Sequence, residues 1–193
     1  MYNIRVKNYL YSLVFYLFCK RKFQYLGKNT RVIFPLNIEG MKNIFIGDNV
    51  RIGYKTWLAS IPIKENEKST LVVGEGTFIG NFNHIFCTKK IIIGDKVLTA
   101  DKVYISDNLH SYKNINIPII DQPIKQIKCV KIGNGAWIGE NVSIIGASIG
   151  KNCIIGANSV VTKDIPDYCV AVGAPARVVK RYNLETKIWE KVY

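Results

Sequence analysis

Pairs of an aliphatic residue and a glycine recur along most of this chain, and the residues at the aliphatic position lie six apart. Three consecutive positions of this kind form a triple, and the triples follow one another from residue 26 to residue 161. The triples are Leu26, Val32 and Ile38; Ile46, Ile52 and Leu58; Val73, Ile79 and Ile85; Ile93, Thr99 and Ile105; Ile132, Ile138 and Ile144; and Ile149, Ile155 and Val161. A six-residue period is neither helical nor the simple alternation of a strand, so it predicts a parallel β-helix.

Each hexapeptide supplies one short strand and one corner, and three of them close a triangular coil of about 18 residues. Coils stack about 4.8 Å apart, the distance between hydrogen-bonded strands. The aliphatic residue points inward, while the Gly, Asn or Asp that follows relieves the turn. Thr99 is the polar member of the column, and the five-residue step from Ile144 to Ile149 predicts a shortened corner there.

Two interruptions of the period predict loops. The first is the polar stretch "SIPIKENEKSTL" at residues 60 to 71, and the longer one follows His110, over about residues 111 to 131. Loops that project from a rigid repeat scaffold are where functional sites are usually built. His110 ends a hexapeptide, so we expect it at the corner where the longer loop departs.

Composition limits the classes of partner. The 193 residues suit one domain, and 27 Lys and Arg against 14 Asp and Glu give a formal net charge of +13, which favours polyanionic partners such as nucleic acid, phosphorylated ligands or anionic membrane. No stacked-aromatic or recognition-helix pattern supports a nucleic-acid partner, and we expect none. Five cysteines without C-x-x-C spacing predict no disulfide framework and no metal site, which favours a reducing, cytoplasmic location.

The two ends of the chain lie outside the repeat. We divide the chain into an N-terminal apolar and basic segment at 1–25, the β-helix at 26–165, and a capping segment at 166–193. The run "YLYSLVFYLFC" has no cleavage site after it and is too short to span a bilayer. It predicts a helix that packs on the domain, rests on an anionic membrane surface at the inner face of the membrane, or does both. The tail "LETKIWEKVY" predicts a short C-terminal helix.

The stretch "KIGNGAWIGENVSIIGASIGKNCIIGANSVVTKDIPDYCVAVGAPARVVKRY", residues 131 to 182, carries a family resemblance. It resembles the hexapeptide-repeat acyltransferases, and in particular the O-acetyltransferases of sugars and bacterial surface polysaccharides and the related antibiotic acetyltransferases. The resemblance implies an all-β, left-handed parallel β-helix with a short helix at each end. It also implies acetyl-CoA as acyl donor and a homotrimer with active sites between subunits.

In the family that this chain resembles, a histidine at such a corner is the catalytic base, which assigns that role to His110. Acetyl transfer to an alcohol needs a base of near-neutral pKa, and histidine meets this need. The resemblance also makes Asn81 a substrate contact. His84 is either a substrate contact or a corner residue, and Asp107 either orients His110, binds sugar hydroxyls or stabilises a turn.

On the donor side, the resemblance implies a groove for the pantetheine arm and a basic patch for the phosphates. The groove residues are Gly139, Ala157, Thr162 and Lys163, and the phosphate partners are Arg177 and Lys180. The predicted reaction is transfer of an acetyl group to a sugar hydroxyl of a surface polysaccharide (O-antigen, capsule or exopolysaccharide) or its precursor. The alternatives are an antibiotic or a nucleotide-linked amino sugar as acceptor. A silent scaffold or a zinc carbonic anhydrase is a third interpretation, and two histidines at different corners disfavour the zinc enzyme.

Overall fold

The chain folds into a left-handed parallel β-helix whose three flat faces are built from strands numbered in chain order. The computed structural model describes residues 2–192, without the side chains of residues 2 and 3. The chain opens with helix α1 (Tyr2–Cys19) and a 3₁₀ turn (Lys20–Lys22). The first face contains β1 (Tyr25–Leu26), β4 (Ile44–Ile46), β7 (Thr70–Val73), β10 (Lys90–Ile93) and β15 (Val130–Ile132).

The other two faces are built in the same way. The second face contains β2 (Arg31–Val32), β5 (Arg51–Ile52), β8 (Phe78–Ile79), β11 (Leu98–Thr99), β16 (Trp137–Ile138), β18 (Ile154–Ile155) and β20 (Cys169–Gly173). The third contains β3 (Asn37–Glu39), β6 (Trp57–Ser60), β9 (His84–Cys87), β12 (Tyr104–Ser106), β17 (Ser143–Ile145) and β19 (Val160–Val161). Each strand pairs in parallel with the strand of the next coil, which confirms the predicted fold class.

The six-residue triples form the core. Their members are buried, except for Ile38, which is partly buried against the core. Thr99 is 1% exposed in the column, and its Oγ1 accepts hydrogen bonds from the Gly80 N–H (3.1 Å) and the Asn83 amide (3.3 Å). A buried hydroxyl is tolerated where its hydrogen bonds are made, so a polar residue at this inward position does not break the column.

The corners explain the residues that follow each aliphatic position. At the first corner a residue with positive φ recurs in successive coils, and at the second corner the pattern repeats. The first set is Asn29, Asn49, Gly76, Lys96, Gly135, Asn152 and Tyr168; the second is Phe34, Lys55, Phe82, Lys102, Asn141 and Asn158. Left-handed backbone closes these tight turns. The third corner is looser, and the excursions at residues 61–69 and 107–129 both leave the coil there, so the longer one begins earlier than the predicted start at residue 111.

The N-terminal helix covers the open edge of the first coil. The Ser12 hydroxyl accepts a hydrogen bond from the Val32 N–H (3.1 Å) on β2, and the Tyr11 ring stacks on Phe34 with centroids 3.8 Å apart. An edge strand presents unpaired backbone groups, and a covering element removes that hazard. None of the helices in the described part of the chain has the length and apolar character needed to cross a membrane.

The predicted C-terminal helix is wrong: the tail forms a β-hairpin. Strand β21 (Ala176–Asn183) pairs antiparallel with β20 and with β22 (Ile188–Lys191). The Asn183 side chain accepts hydrogen bonds from the N–H groups of Glu185 and Thr186, which starts the turn between the strands. A ten-residue helix is marginal on its own, whereas pairing with an open strand edge satisfies the backbone at once.

Candidate active site

The longer excursion leaves the third corner directly after β12 and carries His110. Strand β13 (Asn108–His110) pairs antiparallel with β14 (Ile124–Gln126), so that His110 lies opposite Ile124. A 3₁₀ turn (Ile119–Asp121) forms the far part of the loop. The antiparallel pair holds the backbone of His110 in a defined place beside the coil, while its side chain is exposed to solvent. This arrangement leaves the imidazole accessible to a substrate.

Asp107, at the start of the excursion, is fully buried and bonded within the chain. Its carboxylate accepts hydrogen bonds from the backbone N–H groups of Thr88, Lys89 and Lys90, each at 2.8 Å. Burial raises the pKa of Asp107, but the hydrogen bonds from Asn108, Thr88 and Lys89 outweigh it and hold that pKa below its ordinary value. The geometry therefore favours a structural role for Asp107 over the predicted contact with sugar hydroxyls or with His110.

The end of the excursion is also bonded to Asp107, through the backbone carbonyl of that residue. The Asp107 carbonyl accepts hydrogen bonds from the Gln126 amide (2.7 Å) and the Ile127 N–H (3.0 Å). Ile127 then packs against Gly146, where a Cβ would lie 2.5 Å from the Ile127 Cγ2 atom. Lys128 adds an ion pair with Asp164 at 2.7 Å. Both ends of the loop are thus fixed at the third corner.

His84 lies at the second corner, at the start of β9, within a row of rings on the outer side of the third face. In the strand register, His84 pairs with Trp57 on one side and with Tyr104 on the other, so the three residues are neighbours. The Trp57 ring stacks on His84 with centroids 4.3 Å apart, and Tyr104 lies 5.4 Å away on the other side. Burial lowers the pKa of His84, although Glu39 opposes the effect, so the imidazole is neutral at pH 7. Its Nε2 atom is buried without a hydrogen-bond partner in the described structure.

Asn81 takes part in the ladder of polar side chains at the second corner. Its amide group donates to both carboxylate oxygens of Asp101 (3.2 and 3.1 Å), and its side-chain oxygen accepts from the Tyr54 N–H (2.9 Å). These contacts join three successive coils. These hydrogen bonds between coils are sufficient to explain an asparagine at residue 81. A substrate contact at this position stays a prediction.

The residues predicted for the pantetheine arm lie along both borders of the third face. Gly139 and Ala157 are adjacent at the second corner, where a Cβ on Gly139 would stand 2.6 Å from the Ala157 backbone nitrogen. Thr162 and Lys163 follow β19 at the third corner, on the side where the excursion leaves. All but the buried Gly139 are exposed. The structure thus brings these residues to the third face of the last coils, and small residues there allow a ligand to approach the backbone.

Arg177 and Lys180 lie on β21, which extends the second face at its C-terminal end. Arg177 is opposite Val172 and Lys180 is opposite Val170. Both side chains are exposed, so they are available to an anion at the C-terminal end of the coil stack. Among residues 2–192, no group of three or more His, Cys, Asp or Glu side chains is placed to hold a metal ion.

Two features of the site did not emerge from the sequence. The ring row was hidden because Trp57, His84 and Tyr104 lie 20 or more residues apart, although each stands directly before an inward residue of the third face. The anchor at Asp107 was hidden because its partners, Thr88 to Lys90, belong to the preceding coil. The ring row could have been predicted from the repeat, because each ring precedes an inward residue of the third face. No pattern in the sequence predicts the hydrogen bonds of Asp107.

The comparisons with known proteins agree with this fold. Residues 129–163 match the family described as bacterial transferase hexapeptide (six repeats). WbbJ of Escherichia coli K12, assigned as an O-acetyl transferase of lipopolysaccharide biosynthesis, is 33% identical over 173 residues, which cover 85% of this chain and 85% of WbbJ. The galactoside O-acetyltransferase of the same organism is 34% identical over 77% of this chain and 72% of its own length.

A solved structure shows the same fold at lower identity. It is that of AntD, an N-acyltransferase from Bacillus cereus in complex with dTDP and 3-hydroxybutyryl-CoA, with a TM-score of 0.73 and 21% identity over 88% of this chain and 89% of that chain. The repeat, the β-helix and the extent of the similarity to WbbJ lead to one conclusion. This chain belongs to the hexapeptide-repeat family of acyltransferases.

Proposed function

We propose that the protein is an acetyl-CoA-dependent O-acetyltransferase that acts on a sugar hydroxyl of a surface polysaccharide or its precursor. The observation that carries the proposal is the exposed His110, held by the β13–β14 pair on the excursion that leaves the third corner of a family β-helix. Similarity to WbbJ over 85% of both chains supports a polysaccharide precursor as acceptor. Free cysteines and a co-substrate of central metabolism favour a cytoplasmic reaction.

In this mechanism His110 accepts the proton of the acceptor hydroxyl as its oxygen attacks the thioester carbonyl carbon. The C–S bond of the acetyl group then breaks, the thiolate of the donor leaves, and the proton held by His110 neutralises it. General-base help of this kind is worth about 10²- to 10⁴-fold in rate. Acetyl-CoA supplies the activated acetyl group, and every proton transfer in the scheme is carried out by His110.

An acetyl-cysteine intermediate on Cys87 or Cys153 is disfavoured. A thiol must ionise to act as a nucleophile, and burial raises the pKa of Cys87 to about 12. Burial also raises the pKa of Cys153. Neither thiol can attack a thioester at neutral pH at a useful rate.

The positions of the side chains support a proposal for the donor and acceptor sides. Gly139, Ala157, Thr162 and Lys163 would line the pantetheine groove, and Arg177 with Lys180 would meet the phosphates. The stacked rings of Trp57 and His84, with Tyr104 tilted beside them, would offer their apolar edges to the acceptor sugar. A neighbouring subunit of a homotrimer would bring a donor groove opposite His110, so that each of three sites lies between two subunits.

The test is an acceptor panel. The protein is incubated with acetyl-CoA and with sugars, lipid-linked sugars, nucleotide-linked amino sugars and aminoglycoside antibiotics, while thiol release and the acetylated product are followed. The proposal predicts the highest kcat/KM on a hydroxyl acceptor, with an ester product that mild alkali cleaves. An alkali-stable amide as the main product would establish the alternative, an amino-sugar or antibiotic acetyltransferase.

A further inference from the structure

The outer side of helix α1 carries a continuous apolar stripe. Val6, Leu10, Leu13, Val14 and Leu17 follow one another at intervals of four, three, one and three residues, the spacing of one face of a helix. All five are exposed, Leu17 by 67%. The opposite side of α1, with Tyr11, Ser12 and Phe15, already packs on the first coil. A helix that is apolar on both sides needs a second apolar surface.

Positive charge surrounds this stripe. The first 38 residues contain seven Lys and Arg residues and no Asp or Glu, and three of the cations form the turn Lys20–Lys22 at the end of the helix. Apolar side chains flanked by cations are typical of helices that lie in the interface of a membrane with anionic lipids. If a second copy of this chain docked on this surface, its seven cations would lie close to the seven cations of the first copy. The resulting electrostatic repulsion opposes self-association through this surface.

Beside the stripe, three arginines line one pocket. The pocket has a volume of about 370 Å³ and is formed by Arg5, Asn8 and Tyr9 of α1 together with Arg31, Ile33 and Arg51 of the first two coils. Arg31 and Arg51 are partners in the register of β2 and β5, so their side chains leave the same face one strand apart. Like charges directly opposite each other on neighbouring strands are destabilising.

No carboxylate relieves this repulsion. The ion pairs within residues 2–192 involve Lys64, Lys102, Lys128 and Lys151, and none of them includes an arginine. Arg31 lies over the Tyr9 ring (5.3 Å) and Arg51 over the Phe78 ring (5.1 Å), contacts that orient the guanidinium groups without neutralising them. Guanidinium groups bind phosphate in a bidentate manner, so a phosphate is the ligand whose chemistry matches this pocket.

We propose that α1 and this arginine pocket form one docking site for a membrane that contains anionic phospholipid. The stripe enters the acyl region with the helix parallel to the surface, and Arg5, Arg31 and Arg51 bind a headgroup phosphate. Tyr9 joins the two parts, since it lines the pocket and is itself 52% exposed. The site places the first coil against the membrane, where lipid-linked acceptors reside.

The experiment measures binding of the full chain to vesicles of phosphatidylcholine alone and of phosphatidylcholine with phosphatidylglycerol. Three double variants are compared with the wild type. Leu10→Gln/Leu17→Gln alters the stripe, Arg31→Gln/Arg51→Gln alters the pocket, and Lys68→Gln/Lys191→Gln removes the same charge from exposed positions elsewhere. Since each cation near an anionic surface contributes about 1 kcal/mol, the pocket variant should lose about 10-fold or more of its affinity for the anionic vesicles.

The expected pattern is strong, salt-sensitive binding of the wild type to anionic vesicles, retained by the lysine control, weakened in the pocket variant and lost in the stripe variant. Salt sensitivity needs no variant and checks the electrostatic part separately. The proposal is overturned if the wild type does not bind anionic vesicles, or if the lysine control loses as much affinity as the pocket variant. It is also overturned if inorganic phosphate binds the pocket while vesicles do not, or if the stripe variant lowers the oligomer mass and leaves vesicle binding unchanged.

Discussion

Asp107 shows how one buried carboxylate can organise a site that it does not touch. Its side chain accepts hydrogen bonds from three backbone N–H groups of the preceding coil, and its carbonyl accepts two more from the end of the excursion, at Gln126 and Ile127. The substitution Asp107→Asn replaces one carboxylate oxygen by an NH2 group. This hydrogen-bond donor then faces backbone N–H groups that are also donors, so some of these hydrogen bonds are lost. We expect a loss of about 3 kcal/mol in the free energy of unfolding, measured by urea denaturation, and a fall in kcat because His110 follows three residues later.

The same residue gives a dependence on pH. Because the pKa of Asp107 lies below its ordinary value in the folded state, its ionised form stabilises the protein above the unfolded pKa of about 3.9. That contribution disappears as pH falls through the lower, folded pKa. The stability difference between wild type and Asp107→Asn should therefore be constant from pH 7 to 5 and shrink below about pH 4. A difference that does not change with acid would show that the carboxylate charge is not the stabilising feature.

Thr99 is the polar residue among the inward-facing residues of the core, and its substitution tests what the hydroxyl contributes to stability. Its Oγ1 accepts from the Gly80 N–H and the Asn83 amide, so Thr99→Val keeps the volume and leaves two buried donors unpaired. We expect destabilisation of about 1–3 kcal/mol despite the greater hydrophobicity of valine. Val103→Thr, at a buried position of the same coil, provides the reverse change as a comparison. A more stable Thr99→Val protein would contradict the role given to this hydroxyl.

At the scale of the element, the excursion is held where Ile127 meets Gly146. Gly146 has φ of +56°, and a Cβ there would stand 2.5 Å from the Ile127 side chain. Gly146→Ala should displace the loop and lower kcat at least about 10-fold, in keeping with the sensitivity of transfer to small misplacements. Gly76→Ala is the matched control, because it has φ of +64° and only the Lys96 Cγ at 3.5 Å. If the two variants lose activity equally, backbone strain alone explains the effect.

The elements also show what could be read from the sequence and why the rest could not. The six-residue period predicted the inward residues from Ile46 to Val161 because every coil repeats the same local chemistry. The pairing of β13 with β14 and of β21 with β22 was not predicted, since each depends on a partner strand selected by tertiary contact rather than by period. The prediction of a C-terminal helix was wrong for this reason, because the tail pairs as strand β22 with the open edge of β21.

For the whole molecule, we propose that each site lies between two subunits. Thr162 and Lys163 share the third corner with the His110 excursion, but Gly139 and Ala157 lie at the second corner, so a neighbouring chain would have to bring a complete donor groove to the base. Light scattering should give a mass three times the 21.9 kDa of the chain, independent of the Leu10→Gln/Leu17→Gln change. A monomer that retains full activity would contradict the shared site.

We propose that His110 is the base for direct acetyl transfer. The most direct measurement compares kcat of wild type, His110→Ala and Lys113→Ala on the best acceptor, by acetyl-CoA-dependent thiol release, with thermal unfolding of each variant. Both side chains are exposed on the same excursion, so neither change should alter stability. A catalytic base at His110 predicts a loss of about 10²- to 10⁴-fold for His110→Ala and near wild-type activity for Lys113→Ala. A folded His110→Ala protein with the kcat of the wild type would contradict it.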